Sequence, residues 1–188
     1  MRIVYLRPQK SGRMLIGVEG EEGPRPLSIG PGLYDALGHP TVGCELDGEA
    51  LNMALREDEE YRAMKKALYL LSFSDKSAAA LITRLRQAGF SADSSRSAAE
   101  ECVRLGYVNE EGQLRRLVLQ ESAKLRGPRL ILAKLMSKGY SASAIRGVID
   151  ELVSRGELDF KDSLVRLYAR ENADTDEERR ALRYKHGY

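Results

Sequence analysis

Residues able to carry reaction chemistry are sparse in this 188-residue chain. It has two histidines, His39 beside a proline and His186 near the end, and two cysteines, Cys44 and Cys102, which are far apart and form no CxxC. Neither set has metal-ligand spacing, so no zinc site is expected. No phosphate-cradling GxxxxGK(S/T), dinucleotide-binding GxGxxG or nucleophile GxSxG occurs. The acidic run Glu57, Asp58, Glu59 and Glu60 occupies consecutive positions, which point all round a helix. It reads as a solvated face that compensates a helix N-terminal dipole, not as a paired catalytic dyad. The sequence points away from an enzyme, and no catalytic residue, metal or cofactor is expected.

What the sequence does concentrate is positive charge. Net charge is only +2, but residues 1–60 hold 6 basic and 11 acidic side chains, whereas residues 61–188 hold 24 and 17. The extreme is 112–149, where Arg115, Arg116, Lys124, Arg126, Arg129, Lys134, Lys138 and Arg146 face the single acid Glu121. A one-signed stretch of this length suits an anionic or acidic partner. Phosphate binding needs only the cations, and the leucines among them, Leu119 and Leu130, suit a protein surface better. These eight residues are the candidate partner- or nucleic-acid-binding set.

The elements that must position them read as mainly helical. Charged residues are 31% and aromatics 6%, with no Trp, a composition of helices rich in Leu, Ala, Arg and Glu. Residues 1–47 form a small β-rich region: "RIVYLR", "RMLIGVE" and "PLSI" read as strands between turn-like segments, followed by a short helix and a connector in 31–47. Residues 48–188 form a helical domain. The apolar runs "ALYLL" and "LILA" are too short to span a bilayer. The start, "MRIVYLRPQK", is no signal peptide, and the cysteine usage is that of a reduced, cytoplasmic chain.

Within the helical region the sequence repeats. Sliding it by 50 pairs residues 84–123 with 134–173, and 13 of these 40 pairs are identical, including Leu85/Leu135, Gly89/Gly139, Arg96/Arg146 and Gly106/Gly156. An interval of this length marks stacked supersecondary units, here about 60–109, 110–159 and 160–188. Each is read as three helices, in the middle unit about 113–126, 128–138 and 143–155, with the last unit truncated after two. Ile145, Val148, Ile149, Leu152 and Val153 define one helix face. Gly89-Phe90, Gly139-Tyr140 and Gly187-Tyr188 read as C-caps of second helices and Gly106-Tyr107 as that of a third, each Gly left-handed with the next side chain packing back. On the helical period Arg115 and Arg126 share a flank, and Lys134 and Lys138 are neighbours one turn apart.

The phrases "KKALYLLSFSDKSAAALITRLRQAGFS", "CVRLGYVNEEGQL" and "KLRGPRLILAKLMSKGYS", in this order and spacing, resemble the RecX family of bacterial recombination regulators over most of the chain. The sequence departs from the family pattern at Leu114, Arg115 and Lys134, and in a last unit without a third helix. The resemblance implies a non-catalytic protein of tandem three-helix repeats, acting in DNA repair, homologous recombination and the SOS response. Such proteins lodge in the groove of the RecA filament on single-stranded DNA and suppress ATP hydrolysis, strand exchange and filament growth. The expected partner is the RecA filament, contacted through the 112–149 band, with single- or double-stranded DNA phosphate as an additional contact. The alternative is a direct DNA-binding helical protein or transcription regulator, whose recognition helix would concentrate Arg, Asn or Gln on one exposed face. A scaffold that binds neither is the third reading.

Overall fold

A computed structural model describes all 188 residues as a three-stranded sheet followed by nine helices. The chain forms two compact bodies, Met1–Leu70 with Ile82–Cys102, and Leu71–Leu81 with Val103–Tyr188. No helix is long and apolar enough to cross a membrane.

The first body begins with β1 (Ile3–Pro8), β2 (Met14–Val18) and β3 (Arg25–Ile29), an antiparallel meander in the order β1-β2-β3. Alternation puts Ile3, Ile16, Val18, Leu27 and Ile29 in a core with Leu46 and Ala54. A short α1 (Pro31–Ala36) leads to the long α2 (Gly48–Phe73). Since α2 begins at Gly48, the acidic run lies more than two turns inside it. Dipole compensation, expected from the sequence, therefore does not account for the run. Its carboxylates instead strap the body together.

Edge strand β3 leaves alternate backbone N–H groups unpaired along one side. Asp58, itself buried, accepts the Ser28 N–H at 2.8 Å, and Glu57 accepts the Gly30 N–H. Arg13 reinforces this seam, donating to the Ser28 carbonyl at 2.6 Å and to Glu57 at 2.8 Å while its guanidinium stacks 4.1 Å from the Tyr61 ring centroid. Arg62 donates to the second Asp58 oxygen at 2.8 Å. The next acid, Glu59, turns to the start of α4 (Ala92–Arg104), accepting the Ser91 N–H at 2.8 Å and hydroxyl at 3.1 Å.

The second body is built on α5 (Glu110–Ser122), α6 (Pro128–Met136) and α7 (Ala142–Ser154), followed by α8 (Phe160–Glu171) and α9 (Asp176–His186). Leu114, Val118, Ile131, Leu135, Ile145, Val148, Ile149 and Leu152 share one core. Val153, assigned to that face from its spacing, is exposed. Two three-helix repeats and a two-helix third match the expected order, the first using the end of α2 with α3 (Ala78–Gln87) and α4.

The expected first helix of the middle repeat, 113–126, is displaced to 110–122. Asn109 caps the Gly112 N–H at 2.9 Å, so Glu110 and Glu111 are drawn inside the helix. At the far end Leu125 takes a positive φ of 56° and breaks the helical path. Arg126 is thereby outside α5 and does not extend the flank begun by Arg115.

Three of the four glycine phrases cap helices as their sequence predicts; at the fourth, Gly106 is left-handed but Tyr107 is exposed and does not pack back. Gly89, Gly139 and Gly187 have φ of 92°, 90° and 78°, and the following Phe90, Tyr140 and Tyr188 N–H groups bond five residues back, to Leu85, Leu135 and Arg183. In the second body these caps also join repeats. The Ser77 hydroxyl, at the start of α3, donates to the Lys138 carbonyl at the end of α6 (3.0 Å). One repeat further, the Gly127 N–H at the start of α6 donates to the His186 carbonyl at the end of α9 (2.7 Å), and the Arg129 N–H to the Gly187 carbonyl (3.1 Å). Each second helix therefore presents its carboxyl end to the amino end of the preceding one, an arrangement the helix dipoles favour. The approach is close: a Cβ on Gly187 would sit 2.5 Å from the Leu130 nitrogen.

Two tests follow from these contacts. Gly106 is also left-handed, but a Cβ there would meet open space, so Gly106→Ala should cost about 1 kcal/mol from the backbone alone. Gly187→Ala adds the clash with Leu130 and should cost about 3 kcal/mol; equal urea midpoints for the two variants would refute the joint. Hydrogen bonds from Ser91, the backbone one foremost, hold the Glu59 carboxyl below its ordinary range. A depressed carboxylate stabilises above its unfolded value, and that stabilisation is lost as pH falls through its folded value. Between about pH 6 and about pH 3 the wild type should lose more stability than Glu59→Gln in urea titrations. Identical acid sensitivity would count against the strap.

Candidate functional site

The eight cations singled out by the sequence all lie in the second body, and they fall into three groups. Arg115, on α5, is two-thirds buried and donates to both oxygens of Glu157 at 2.5 and 2.6 Å and to Glu151 at 3.2 Å. Arg116, one position on, is exposed and reaches Asp75 at 2.7 Å. Counting charges within 112–149 omits these three acids, because two lie beyond its end and one precedes it by 37 positions. Folding brings them back. Arg115 and Arg116 are thereby pinned to the body's own carboxylates.

The second group gathers on Glu121. This carboxylate is 3% exposed, yet it lies in the last turn of α5 with Lys124 at 3.0 Å, Lys134 at 2.9 Å and Arg126 in direct contact. The turn at Leu125 folds Arg126 back onto it, and the packing of α6 on α5 delivers Lys134. Three cations on one carboxylate leave two positive charges uncompensated. Burial first, and then the nearby charges of Arg126 and Lys124, hold the Lys134 ammonium below its ordinary range. The locus is positive and organised from beneath, so an incoming phosphate or carboxylate meets cations already held in place.

The third group is Arg129, Lys138 and Arg146, all exposed and without an ion pair. Arg129 stands in the first turn of α6, Lys138 just beyond its end and Arg146 on α7. Their side chains are available to a partner at the least cost in stability. Sequence reasoning found all three, but it assigned no role to Glu121. The signal was there in outline: a lone acid three, five and thirteen positions before cations. It could not be ranked without knowing that the acid is buried.

No cluster of His, Cys, Asp or Glu capable of holding a metal is present. Both cysteines are free; Cys44 is exposed and Cys102 is buried, with its sulfur 3.9 Å from that of Met64.

No protein-family model and no curated protein matches this sequence. A crystal structure of the regulatory protein RecX has the same fold, with a TM-score of 0.66 over 96% of this chain and 89% of that one, at 16% identity. The chain thus has a RecX-like, mainly helical fold with a small N-terminal sheet.

The two roles of charge separate experimentally. Glu121→Ala strands three clustered cations and should destabilise the protein by about 2–3 kcal/mol. Alanine at Arg129, Lys138 or Arg146 should each change stability by less than about 0.5 kcal/mol. Urea unfolding of the four variants distinguishes them; a Glu121→Ala protein as stable as wild type would remove Glu121 as the organiser.

Proposed function

We propose that this chain is a regulator of the RecA recombinase, which binds the RecA filament on single-stranded DNA and suppresses its ATP hydrolysis, strand exchange and growth. The observation that carries the reading is the RecX-like fold across nearly the whole chain, joined to family-like phrases in the same order along it. The second body supplies a physical means. Its cations are distributed over α5, α6, α7 and the intervening turns, which suits contact with several acidic side chains and backbone phosphates better than readout of one groove. Arg129, Lys138 and Arg146 make the outer contacts, and the Lys124, Arg126, Lys134 cluster supplies a preorganised positive locus. Arg115 and Arg116 hold the frame through Glu151, Glu157 and Asp75. The mechanism is steric and electrostatic, with no bond made or broken.

The pairing pattern dictates which variants test this. Reversing Arg126 or Lys134 would place carboxylates against buried Glu121 and confound binding with unfolding. Reversing the exposed set avoids that. RecA ATPase on single-stranded DNA, titrated with the wild-type chain, should fall in a dose-dependent way. The Arg129→Glu, Lys138→Glu, Arg146→Glu triple variant, with unchanged thermal stability, should inhibit at least about tenfold less, as expected for several lost charge contacts. An ATPase rate unmoved by excess wild-type chain would sink the RecA reading; undiminished inhibition by the triple variant would leave RecA but displace the contact.

A further inference from the structure

The second body also contains a groove of opposite character. A cavity of about 630 Å³ opens between the start of α3 and helices α5 and α7, within the size range of sites that take a small ligand or a few side chains. It is lined by apolar surface from Ala78, Leu114, Tyr140, Ala144 and Gly147. Nothing lies within 4 Å of where a Gly147 Cβ would stand, so the space above α7 is open. Three carboxylates rim it, Glu110, Glu111 and Glu151. Glu110 uses one oxygen to cap the Ala78 N–H at 2.7 Å, and Glu151 is engaged by Arg115 and Arg155. Glu111 is exposed and has no such partner.

We propose that this groove receives an arginine side chain from a basic segment of a protein partner. The complementarity is in two parts. An arginine stem is a run of methylenes that covers apolar surface while its charged head stays at the edge. The rim then offers that head the free oxygen of Glu110 and the unpaired Glu111 carboxylate, to which a guanidinium can donate charge-assisted bonds. The same rim disfavours an acidic or phosphate ligand. Beneath the rim the Tyr140 phenol is held above its ordinary range chiefly by burial, with Glu110 and Asp75 adding to the effect and Arg116 opposing it. The inference goes beyond the RecA reading and stands apart from it, because the groove selects a basic side chain and the cationic set an acidic one.

The test is an NMR titration of the full-length, ¹⁵N-labelled chain with acetyl-Ala-Arg-Ala-amide, beside the same peptide carrying citrulline, the neutral isostere. Saturable shifts are expected at the Ala79, Gly139 and Gly147 amides, with a Kd on the order of 1 mM for so short a probe. The citrulline peptide should bind about tenfold more weakly through loss of the charge-assisted bonds. Glu111→Gln should weaken the arginine peptide several-fold. Gly147→Leu should abolish its shifts while leaving the spectrum otherwise dispersed, because it fills the groove with a better helix former and alters no charge. Absence of saturable shifts, equal binding of the citrulline peptide, or undiminished binding to Gly147→Leu would each overturn the proposal.

Discussion

The second body depends on an end-to-end helix contact made twice: the carboxyl end of one repeat's second helix seated on the amino end of the preceding repeat's. At the Lys138–Ser77 joint a hydroxyl bridges the gap. At the Gly187–Gly127 joint the bonds run backbone to backbone, and the His186 ring nitrogen lies 3.2 Å from the Leu125 carbonyl beside them. Helix ends carry unsatisfied amides and carbonyls, and a repeat protein must satisfy them wherever neighbours exclude water. Here each end answers the other. Pro128 removes one donor from the start of α6, Gly187 accepts the Arg129 N–H, and glycine at both positions is what permits the approach. The rest follows from this register. It sets where α6 lies, hence where Lys134 meets Glu121, and where Gly139 and Tyr140 close the floor of the acid-rimmed groove.

Charge is then sorted by acids. Each body uses carboxylates as fastenings: Asp58 and Glu57 on the edge of β3, and buried Glu121, half-buried Glu151 and exposed Glu157 around α5. The cations they claim serve the fold first, and those left unclaimed, Arg129, Lys138 and Arg146, are presented outward. A single stretch of like charge therefore resolves into a structural part and an exposed part. The surplus at Glu121 joins the two, since it both fixes Arg126 and Lys134 and keeps their field positive. The proposed opposition to RecA needs no more chemistry than this: a rigid frame, charges held at fixed sites, and a surface spread over several elements.

Much of the fold was legible in the sequence. Apolar and β-branched runs between turn signals marked the three strands, the interval of 50 marked the repeat, and Gly followed by an aromatic marked the helix ends at 89, 139 and 187. What was missed has identifiable causes. The start of α5 moved because one side-chain cap, from Asn109, outweighed the helix-breaking tendency of Gly112. Its end moved because a leucine, Leu125, adopted the left-handed conformation that propensity reserves for glycine or asparagine. The acidic run was misassigned because consecutive acids were read as a solvated, dipole-compensating face, whereas the unpaired edge of a strand claimed Asp58 and Glu57. The cationic residues were legible as a set, but their division into claimed and unclaimed members was not. That division depends on Asp75, Glu151 and Glu157, which approach only in three dimensions.

The most direct measurement of the central claim is equilibrium binding of the fluorescently labelled chain, by anisotropy, to preformed RecA filaments and to the same single-stranded DNA without RecA. The account predicts saturable binding to the filament at a fixed ratio of chain to RecA, with little binding to bare DNA. Binding of equal strength to DNA alone would contradict it, and would make the chain a nucleic-acid-binding protein in its own right.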